Sequence, residues 1–207
     1  MKKLRFLLAI LFAVPFIFTA CDKNEADITK CGYPVTISFD DKMGDIDHIV
    51  AVVRNSRLFY LEVVDTAIGG NGTYFFTLPA SVDTNYLTDI QMYFEPYYES
   101  LTYGYFSISD KNAQLADLYF RGETINEYPF QLIYKGDFAR GSYVYADRAV
   151  KITGSYSYSS AIGQELRMNV SLNKGWNMMY INNYQENEIY VREYTTNKVE
   201  GLRWYAY

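Results

Sequence analysis

Two glutamates lie close together in the chain and carry groups that can split glycosidic bonds. Glu95 and Glu99 bracket Pro96-Tyr97-Tyr98, so two carboxylates stand beside aromatic rings. One carboxyl group of such a pair protonates the leaving oxygen while the other attacks the sugar or activates water, provided that their separation suits the reaction. An acidic chain of this length offers such pairs by chance. We therefore predict no catalytic residues here and keep a carboxylate-dependent glycoside hydrolase as the less favoured alternative.

Other side chains with reactive or metal-binding groups are few. His48 is the single histidine, which removes multi-histidine metal sites and most histidine-dependent triads. We interpret it as a loop or core-edge residue. Four aspartates in one loop can ligate calcium: Asp40, Asp41, Asp45 and Asp47. Their spacing differs from that of an EF-hand, so we interpret the loop as solvated. The sequence predicts a protein without a metal site or a cofactor.

Aromatic side chains crowd one short segment. The chain holds 22 tyrosines, and the densest run of rings is Tyr93, Phe94, Tyr97, Tyr98, Tyr103, Tyr105 and Phe106. Because alternate residues of a strand point to opposite faces, these rings cannot all face one core. Exposed rings stack on sugar faces or anchor a protein partner, whereas rings between two sheets belong to the core. The candidate ligand-binding residues are Tyr93, Tyr97, Tyr98, Tyr103 and Tyr105, with core packing as the alternative.

Cys21 follows a segment typical of a secretory signal. Three basic residues within positions 1–5 precede an apolar run at 6–18, which is shorter than a membrane span. The small residues Thr19 and Ala20 stand directly before Cys21, where a signal peptidase cuts. This order resembles the lipobox of bacterial lipoproteins. The resemblance implies cleavage before Cys21, lipid on its sulfur and amino group, and a mature protein tethered to a membrane.

The residues that follow Cys21 help to decide between a lipid anchor and a disulfide at this cysteine. Residues 22–27 are mostly polar and include three acidic side chains, which is typical of a flexible tether. Cys31 is the only other cysteine, so a Cys21–Cys31 disulfide is the alternative to lipidation. If Cys21 carries lipid, Cys31 is an unpaired thiol, which we interpret as a small residue at the domain edge. We divide this part of the chain into a signal peptide, 1–20, and a tether, 21–32.

The exported chain is strongly acidic. The whole chain has a net charge of −5, and removing residues 1–20 takes away three cations and no anion, which gives −8. Nucleic acids need concentrated lysine and arginine, so we expect no nucleic-acid partner. Electrostatic adhesion to anionic lipid is disfavoured for the same reason. The membrane is then a partner only through the lipid anchor.

Alternation of apolar and polar residues predicts strands along most of the chain. Residues 165–172 show the pattern most clearly, with apolar side chains at Leu166, Met168, Val170 and Leu172. Similar runs recur at regular spacing between glycine-containing turns, and residues 82–90 alone suggest a short helix in the first half. These patterns predict an all-β protein, an antiparallel β-sandwich with little helix.

One turn is predicted in detail. The sequence Leu172-Asn173-Lys174-Gly175-Trp176 fits a tight hairpin between two strands, in which Gly175 supplies a left-handed residue. We expect the Trp176 ring to pack on this hairpin. We weigh Trp204 in the same way, as a packing residue before a ligand-binding one.

Four stretches resemble sequences of small lipoproteins common in gut Bacteroidetes: residues 71–87, 108–118, 143–154 and 171–181. The first, NGTYFFTLPASVDTNYL, also resembles the end of a transthyretin-like or carboxypeptidase-regulatory-like sandwich, where a glycine-led strand ends in Leu-Pro. The resemblance implies an outer-membrane or surface lipoprotein and no reaction. We predict two packed β-rich units, a transthyretin-like sandwich over residues 33–108 and an antiparallel β domain over residues 109–207.

The predicted function follows from the anchor and the aromatic surplus. We expect a non-enzymatic, lipid-anchored protein of the cell envelope, in the outer membrane or on the cell surface, with a binding, accessory or adhesion role. Its ligand would be a glycan or a surface protein. One alternative is a subunit of a surface adhesin assembly, in which an edge strand is exchanged or capped.

Overall fold

The computed structural model of the chain describes residues 32–39, 46–54, 61–68, 72–94, 106–123, 130–158 and 164–206. These residues form mostly strands, which confirms the predicted all-β class. The strands are β1 (Tyr33–Ser38), β2 (His48–Arg54), β3 (Leu61–Ile68), β4 (Thr73–Leu78), β5 (Thr88–Asp89), β6 (Phe106–Ile108), β7 (Gln114–Glu123), β8 (Phe130–Lys135), β9 (Ala139–Ala146), β10 (Val150–Tyr158), β11 (Gln164–Leu172), β12 (Gly175–Glu186), β13 (Ile189–Thr195) and β14 (Arg203–Ala206).

Helical structure is limited to two short pieces in the described residues. The helix suggested at residues 82–90 is instead a 3-10 turn at Thr84–Tyr86, followed by β5 and by α1 (Ile90–Tyr93). Asp83 caps the turn, because its Oδ1 accepts a hydrogen bond from the Asn85 amide at 2.8 Å. Within the described part of the chain there is no helix long and apolar enough to cross a membrane.

Most strands belong to one large sheet of twelve strands. Its main order is β3-β2-β7-β8-β9-β12-β13-β11-β10-β6, with β14 paired to β8 and β5 paired to β7. β1 and β4 form a separate two-stranded antiparallel sheet, the small sheet. Among the strand pairs described, β11 and β13 are the one parallel pair.

The large sheet curls so that its central strands are buried on both faces. One core cluster joins the small sheet to β2 and β7 and includes Val35, Ile37, Phe76, Ile49, Val53, Leu118 and Phe120. The other joins the opposite faces of β7, β9 and β12 to α1, β10 and β11 and includes Leu115, Val144, Met179, Ile90, Ile152 and Met168. Each such side chain stabilises the fold by about 1.5–3 kcal/mol when fully buried. β7, β9 and β12 therefore form a middle layer between the small sheet and the β10–β11 end of the large sheet.

The pattern predicted for residues 165–172 is confirmed. Leu166, Met168, Val170 and Leu172 are all buried in the second cluster. The residues between them face the other side of β11, where Arg167 donates hydrogen bonds to both carboxylate oxygens of Glu165. The period-two spacing thus gave the correct buried face.

The hairpin predicted at Leu172–Trp176 is wrong. β11 pairs with β10 and β13, whereas β12 pairs with β9 and β13, so β13 lies between the two strands in the sheet. Gly175 does adopt the left-handed region, at φ +100°. The two strands do not pair because Leu172 belongs to the second core cluster and Trp176 to the first. The chain therefore crosses between layers at Gly175, where the turn predicted on local grounds would have kept it in one layer.

Trp176 joins two layers and does not fasten a hairpin. Its Nε1 donates a hydrogen bond to the Pro79 carbonyl oxygen at 2.7 Å. Its ring lies 5.3 Å from the ring of Tyr145, its cross-strand partner on β9. The indole thus anchors the segment after β4 to the middle layer, with its polar atom paired.

The division at residues 108/109 stays a prediction, and strands from both sides of it pair with each other. β2 and β7 are antiparallel neighbours from His48↔Glu123 to Arg54↔Asp117. Residues 1–31, which include the predicted signal, Cys21 and Cys31, lie outside the described residues.

Candidate binding cavity at a strand fork

β7 changes its neighbour partway along its length and opens a gap in the sheet. Residues 115–118 pair with β9, and residues 120–122 pair with β8. β8 and β9 pair with each other at Tyr134↔Gly141 and Lys135↔Arg140. A cavity of about 400 Å³ lies at this fork. Tyr119, Ile133 and Ser142 are among its lining residues, one from each strand, and we call this space the fork cavity.

The wall toward the small sheet is aromatic. Tyr134, Tyr143 and Trp204 line it. The rings of Tyr134 and Trp204 are inclined by 34° with centroids 5.0 Å apart, and the Phe120 ring meets Trp204 edge-on at 5.4 Å. A smaller recess of about 260 Å³ adjoins this wall, shares the same three aromatic residues and adds the ring of Tyr33. The indole and phenol rings thus present a nearly continuous apolar surface.

A glycine makes room for these rings. A Cβ placed on Gly141 would lie 2.9 Å from Cδ1 of Tyr134 and 3.3 Å from both Sδ of Met178 and Cδ1 of Tyr180. The two tyrosine rings therefore approach the β9 backbone more closely than a side chain at position 141 allows. Such a close approach of side chains to the backbone favours glycine at this position of the strand.

The opposite wall carries the charged groups. Arg54 is the cross-strand partner of Asp117, and its Cζ lies 5.1 Å from the centroid of the Tyr119 ring. Tyr93, at the end of α1, donates its hydroxyl hydrogen to Oδ1 of Asp117. Arg140 lines the same cavity from β9. One carboxylate is thus held between a phenol and two guanidinium groups.

The protonation of this wall follows from its burial. Burial raises the pKa of Asp117, while the hydrogen bond from Tyr93 and the charges of Arg54 and Arg140 act in the opposite direction. Burial, followed by the charge of Asp117, raises the pKa of Tyr93 well above its usual value. Burial also raises the pKa of Tyr143. The phenols stay protonated at neutral pH, so they can donate hydrogen bonds and are poor nucleophiles.

The predicted site residues are only partly within the described chain. Tyr93 lines the fork cavity, with its hydroxyl on Asp117. The other candidates lie outside the described residues: Tyr97, Tyr98, Tyr103 and Tyr105. Glu95 and Glu99 lie outside them as well. Phe94 and Phe106, from the same aromatic run, are buried in the second core cluster.

Sequence reasoning did not find most of the residues that line the cavity. They come from six strands of the large sheet, β2, β7, β8, β9, β12 and β14: Arg54, Asp117, Tyr134, Arg140, Tyr143, Met179 and Trp204. No short-range spacing connects them, because they are spread along the chain from Arg54 to Trp204. The one local signal was the crowding of rings after residue 93, which led to Tyr93.

His48 belongs to a different cluster, at the end of β2 opposite Arg54. Its Nε2 lies 2.8 Å from Oε2 of Glu123, and Arg121 also donates to this carboxylate. Burial tends to raise the pKa of Glu123, but the hydrogen bonds from Arg121 and His48 outweigh it, so the pKa lies below its ordinary value. This is a half-buried ion-paired group that ties β2 to β7.

The described residues hold no group of three acidic, histidine or cysteine side chains arranged to bind a metal ion. Of the four aspartates weighed as calcium ligands, Asp47 is described, and Asp40, Asp41 and Asp45 lie outside the described residues. The calcium hypothesis therefore gains no support from the part of the loop that can be seen.

Comparisons of the chain with protein-family models, with curated proteins and with solved structures found no match in any of the three. The resemblance of four stretches to Bacteroidetes lipoproteins and the transthyretin-like sandwich stay predictions.

Proposed function

We propose that the protein is a non-enzymatic, lipid-anchored binding protein of the outer membrane or cell surface, and that the fork cavity holds part of a glycan. The observation that carries the proposal is the cavity itself, about 400 Å³ with aromatic rings on one wall and hydrogen-bonding groups on the other. Pockets for small ligands measure about 300–1,000 Å³ and combine an apolar lining with a few polar groups.

The two walls suit the two surfaces of a sugar ring. A sugar presents C–H groups on its faces and hydroxyls around its rim. Trp204 and Tyr134 offer the flat apolar surface on which such a face stacks. Asp117 and Tyr93, whose hydroxyl hydrogen is donated to Asp117, offer acceptor oxygens, and Ser142 offers a hydroxyl that donates and accepts. A purely apolar ligand would exclude water from these groups without replacing its hydrogen bonds, which costs free energy.

Binding is favoured over hydrolysis by the groups present. Asp117 is the only carboxylate among the described residues that line the cavity. Most glycoside hydrolases need a second one at a defined separation from the first. Tyr93 is held protonated by burial and by Asp117, so it does not replace a carboxylate nucleophile. The groups assemble a place to hold a sugar.

An experiment on the cavity uses purified protein and isothermal titration calorimetry with a panel of host and dietary oligosaccharides. Tyr134→Ala should weaken binding of a recognised glycan by about tenfold or more, since an aromatic contact at the centre of a site contributes about 2 kcal/mol. Ser142→Leu, which fills the gap without removing a ring, should weaken it as well.

The matched control is Phe75→Ala on β4, where the ring is 72% exposed on the small sheet. This variant should bind as the unchanged protein does. Circular dichroism confirms that each variant is folded. The cavity assignment is wrong if no panel member binds, or if the Phe75 and Tyr134 variants bind alike.

The anchor is tested separately. The apolar run at 6–18, Thr19, Ala20 and the acidic tether support lipidation of Cys21. Cells fed labelled palmitate should incorporate the label into the protein and into a Cys31→Ser variant, but not into Cys21→Ser. Label retained in Cys21→Ser would show that another residue carries the lipid.

A further inference from the structure

We infer that the ligand is an oligosaccharide and that the recess beside the fork cavity holds a second, uncharged sugar unit of the same chain. This inference rests on the proposed function and names the ligand class of the same site. The recess has a volume of about 260 Å³. Four phenol rings surround it: Tyr33 from β1, Tyr134 from β8, Tyr143 from β9 and Tyr180 from β12.

The recess continues the fork cavity and is not a separate site. Tyr134, Tyr143 and Trp204 line both spaces. Because the same side chains face both, the two spaces lie within the length of one aromatic side chain of each other. Neighbouring units of a sugar chain are separated by a similar distance. A unit stacked on the aromatic wall in the fork cavity can therefore be linked to a second unit in the recess.

The phenols supply hydrogen bonds as well as apolar surface. Burial raises the pKa of Tyr143, and the three other phenols of the recess raise it further. Burial also raises the pKa of Tyr180. These hydroxyls therefore keep their hydrogens at neutral pH, and each can donate to a sugar hydroxyl or accept from one. A ring face with a hydroxyl at its edge matches the C–H face and the hydroxyl rim of a sugar unit.

The lining of the recess favours an uncharged unit, because none of its lining residues in the described chain carries a charge. Lys198 and Glu200 act on Tyr180 from outside this lining, and they are paired with each other, with Nζ 2.9 Å from Oε1. A carboxylate or ammonium group in the recess would lose its water without gaining an opposite charge there, which costs free energy. A neutral sugar unit avoids this cost.

Tyr33 distinguishes the recess from the fork cavity. It lines the recess alone, and its ring is 40% exposed, whereas Tyr180 is buried. The Tyr33 ring meets the ring of Tyr143 edge-on, with centroids 6.2 Å apart. A sugar unit in the recess would cover the exposed part of this ring and remove it from water, which stabilises the complex.

The test is isothermal titration calorimetry with neutral oligosaccharides of the cello-, xylo-, manno- and N-acetylchito- series, from the monosaccharide to the hexasaccharide. In at least one series, removal of one unit should weaken binding by the unchanged protein about tenfold or more, because the recess loses its occupant. Tyr33→Ala should lower the affinity for the longer member to that for the shorter one and leave the shorter one unchanged. Tyr180→Phe keeps a ring and removes a hydroxyl, so it should reduce this difference about threefold. Raising the salt concentration should leave the difference unchanged.

Tyr190→Ala is the matched control, because Tyr190 is 41% exposed on β13 and lines neither space. This variant should keep the full difference between longer and shorter members, and circular dichroism shows whether each variant is folded. Equal binding of all members, or a loss in Tyr33→Ala that is the same for every member, overturns the second sugar unit and leaves glycan binding in the fork cavity intact. Binding of charged glycans alone overturns the uncharged unit. If no glycan binds, the proposed function fails as well.

Discussion

At the scale of single residues, Asp117 is a carboxylate whose surroundings differ strongly from those in water. It accepts a hydrogen bond from Tyr93, faces Arg54 across the β2–β7 pair and lies in the same cavity as Arg140. Burial nevertheless dominates and raises its pKa from the ordinary 3.8. A ligand that removes more water from the charged wall would raise the pKa of Asp117 further. The titration of Asp117 therefore reports on the environment of that wall.

Asp117→Asn tests this environment. Below pH 3.8 the carboxyl is protonated in the folded and the unfolded chain alike. As the pH rises, the unfolded chain releases the proton first, so the stability that Asp117 contributes is lost as the pH rises through its raised pKa. The free energy of unfolding of the unchanged protein should therefore fall relative to that of Asp117→Asn over this range.

Urea unfolding between about pH 3.5 and pH 7 measures the difference between the two proteins. Asparagine keeps the oxygen that accepts from Tyr93, so the hydrogen bond itself is preserved. A difference that stays constant over the whole range would contradict the raised pKa. A free energy of unfolding of the unchanged protein that rises with pH relative to that of Asp117→Asn would mean that the two arginines, and not burial, control this carboxylate.

The sequence predicts the role of a residue only where residues near it in the chain indicate that role. Tyr93 emerged because rings crowd around it. Trp204 was recognised as a packing residue, and its place beside Tyr134 depends on β14 pairing with β8. A charged or aromatic side chain becomes part of a site through its cross-strand partners, and the residues next to it in the chain do not predict these partners.

At the scale of elements, strand positions were largely predictable and strand pairings were not. β4 begins at Thr73 and ends at Leu78, as the alternation and the following proline indicate. The apolar alternation predicts strands at residues 151–158, 165–172 and 188–195, and β10, β11 and β13 lie within one residue of these bounds at each end. The failed hairpin at Leu172–Trp176 shows the limit, because its turn chemistry was correct and its pairing was decided by two separate cores.

The fork is the element-scale feature on which the site depends. β7 is long enough to pair with β9 near its start and with β8 near its end. A sheet with one uninterrupted ladder at this point would have no space between the strands. The gap is therefore a consequence of strand length and register, and no single residue of β7 predicts it.

The turn between β12 and β13 offers a test at this scale. It has two residues, Asn187 at φ +49° and Glu188 at φ +68°, between the paired Glu186 and Ile189. Two-residue hairpins of this kind favour Asn-Gly, because the second position is left-handed. Glu188→Gly should raise the free energy of unfolding by about 0.5–1 kcal/mol, since it removes the strain of a Cβ in that conformation.

Glu188→Ala is the control for the turn, because it removes the carboxylate and keeps the Cβ. Chemical denaturation of the three proteins separates the two effects. A gain in both variants would assign the effect to charge, and no gain in Glu188→Gly would mean that the left-handed backbone carries no strain.

At the scale of the whole molecule, the fork cavity lies within a three-layer arrangement. The small sheet and the β10–β11 end of the large sheet cover the two faces of the middle layer. The fork interrupts that middle layer, and its two walls differ in character because each faces a different neighbour. The aromatic wall lies toward the small sheet and the charged wall lies toward α1. On the proposed tether, the molecule would display this opening above a membrane.

The most direct test of the central claim is to map where a recognised glycan binds, by following backbone amide NMR signals during its titration. The signals of Tyr119, Ile133 and Ser142 should shift first and most. The signals of β4 around Phe75 should stay unchanged. Shifts confined to the small sheet, or no shifts with any glycan of the panel, would contradict a binding site at the fork.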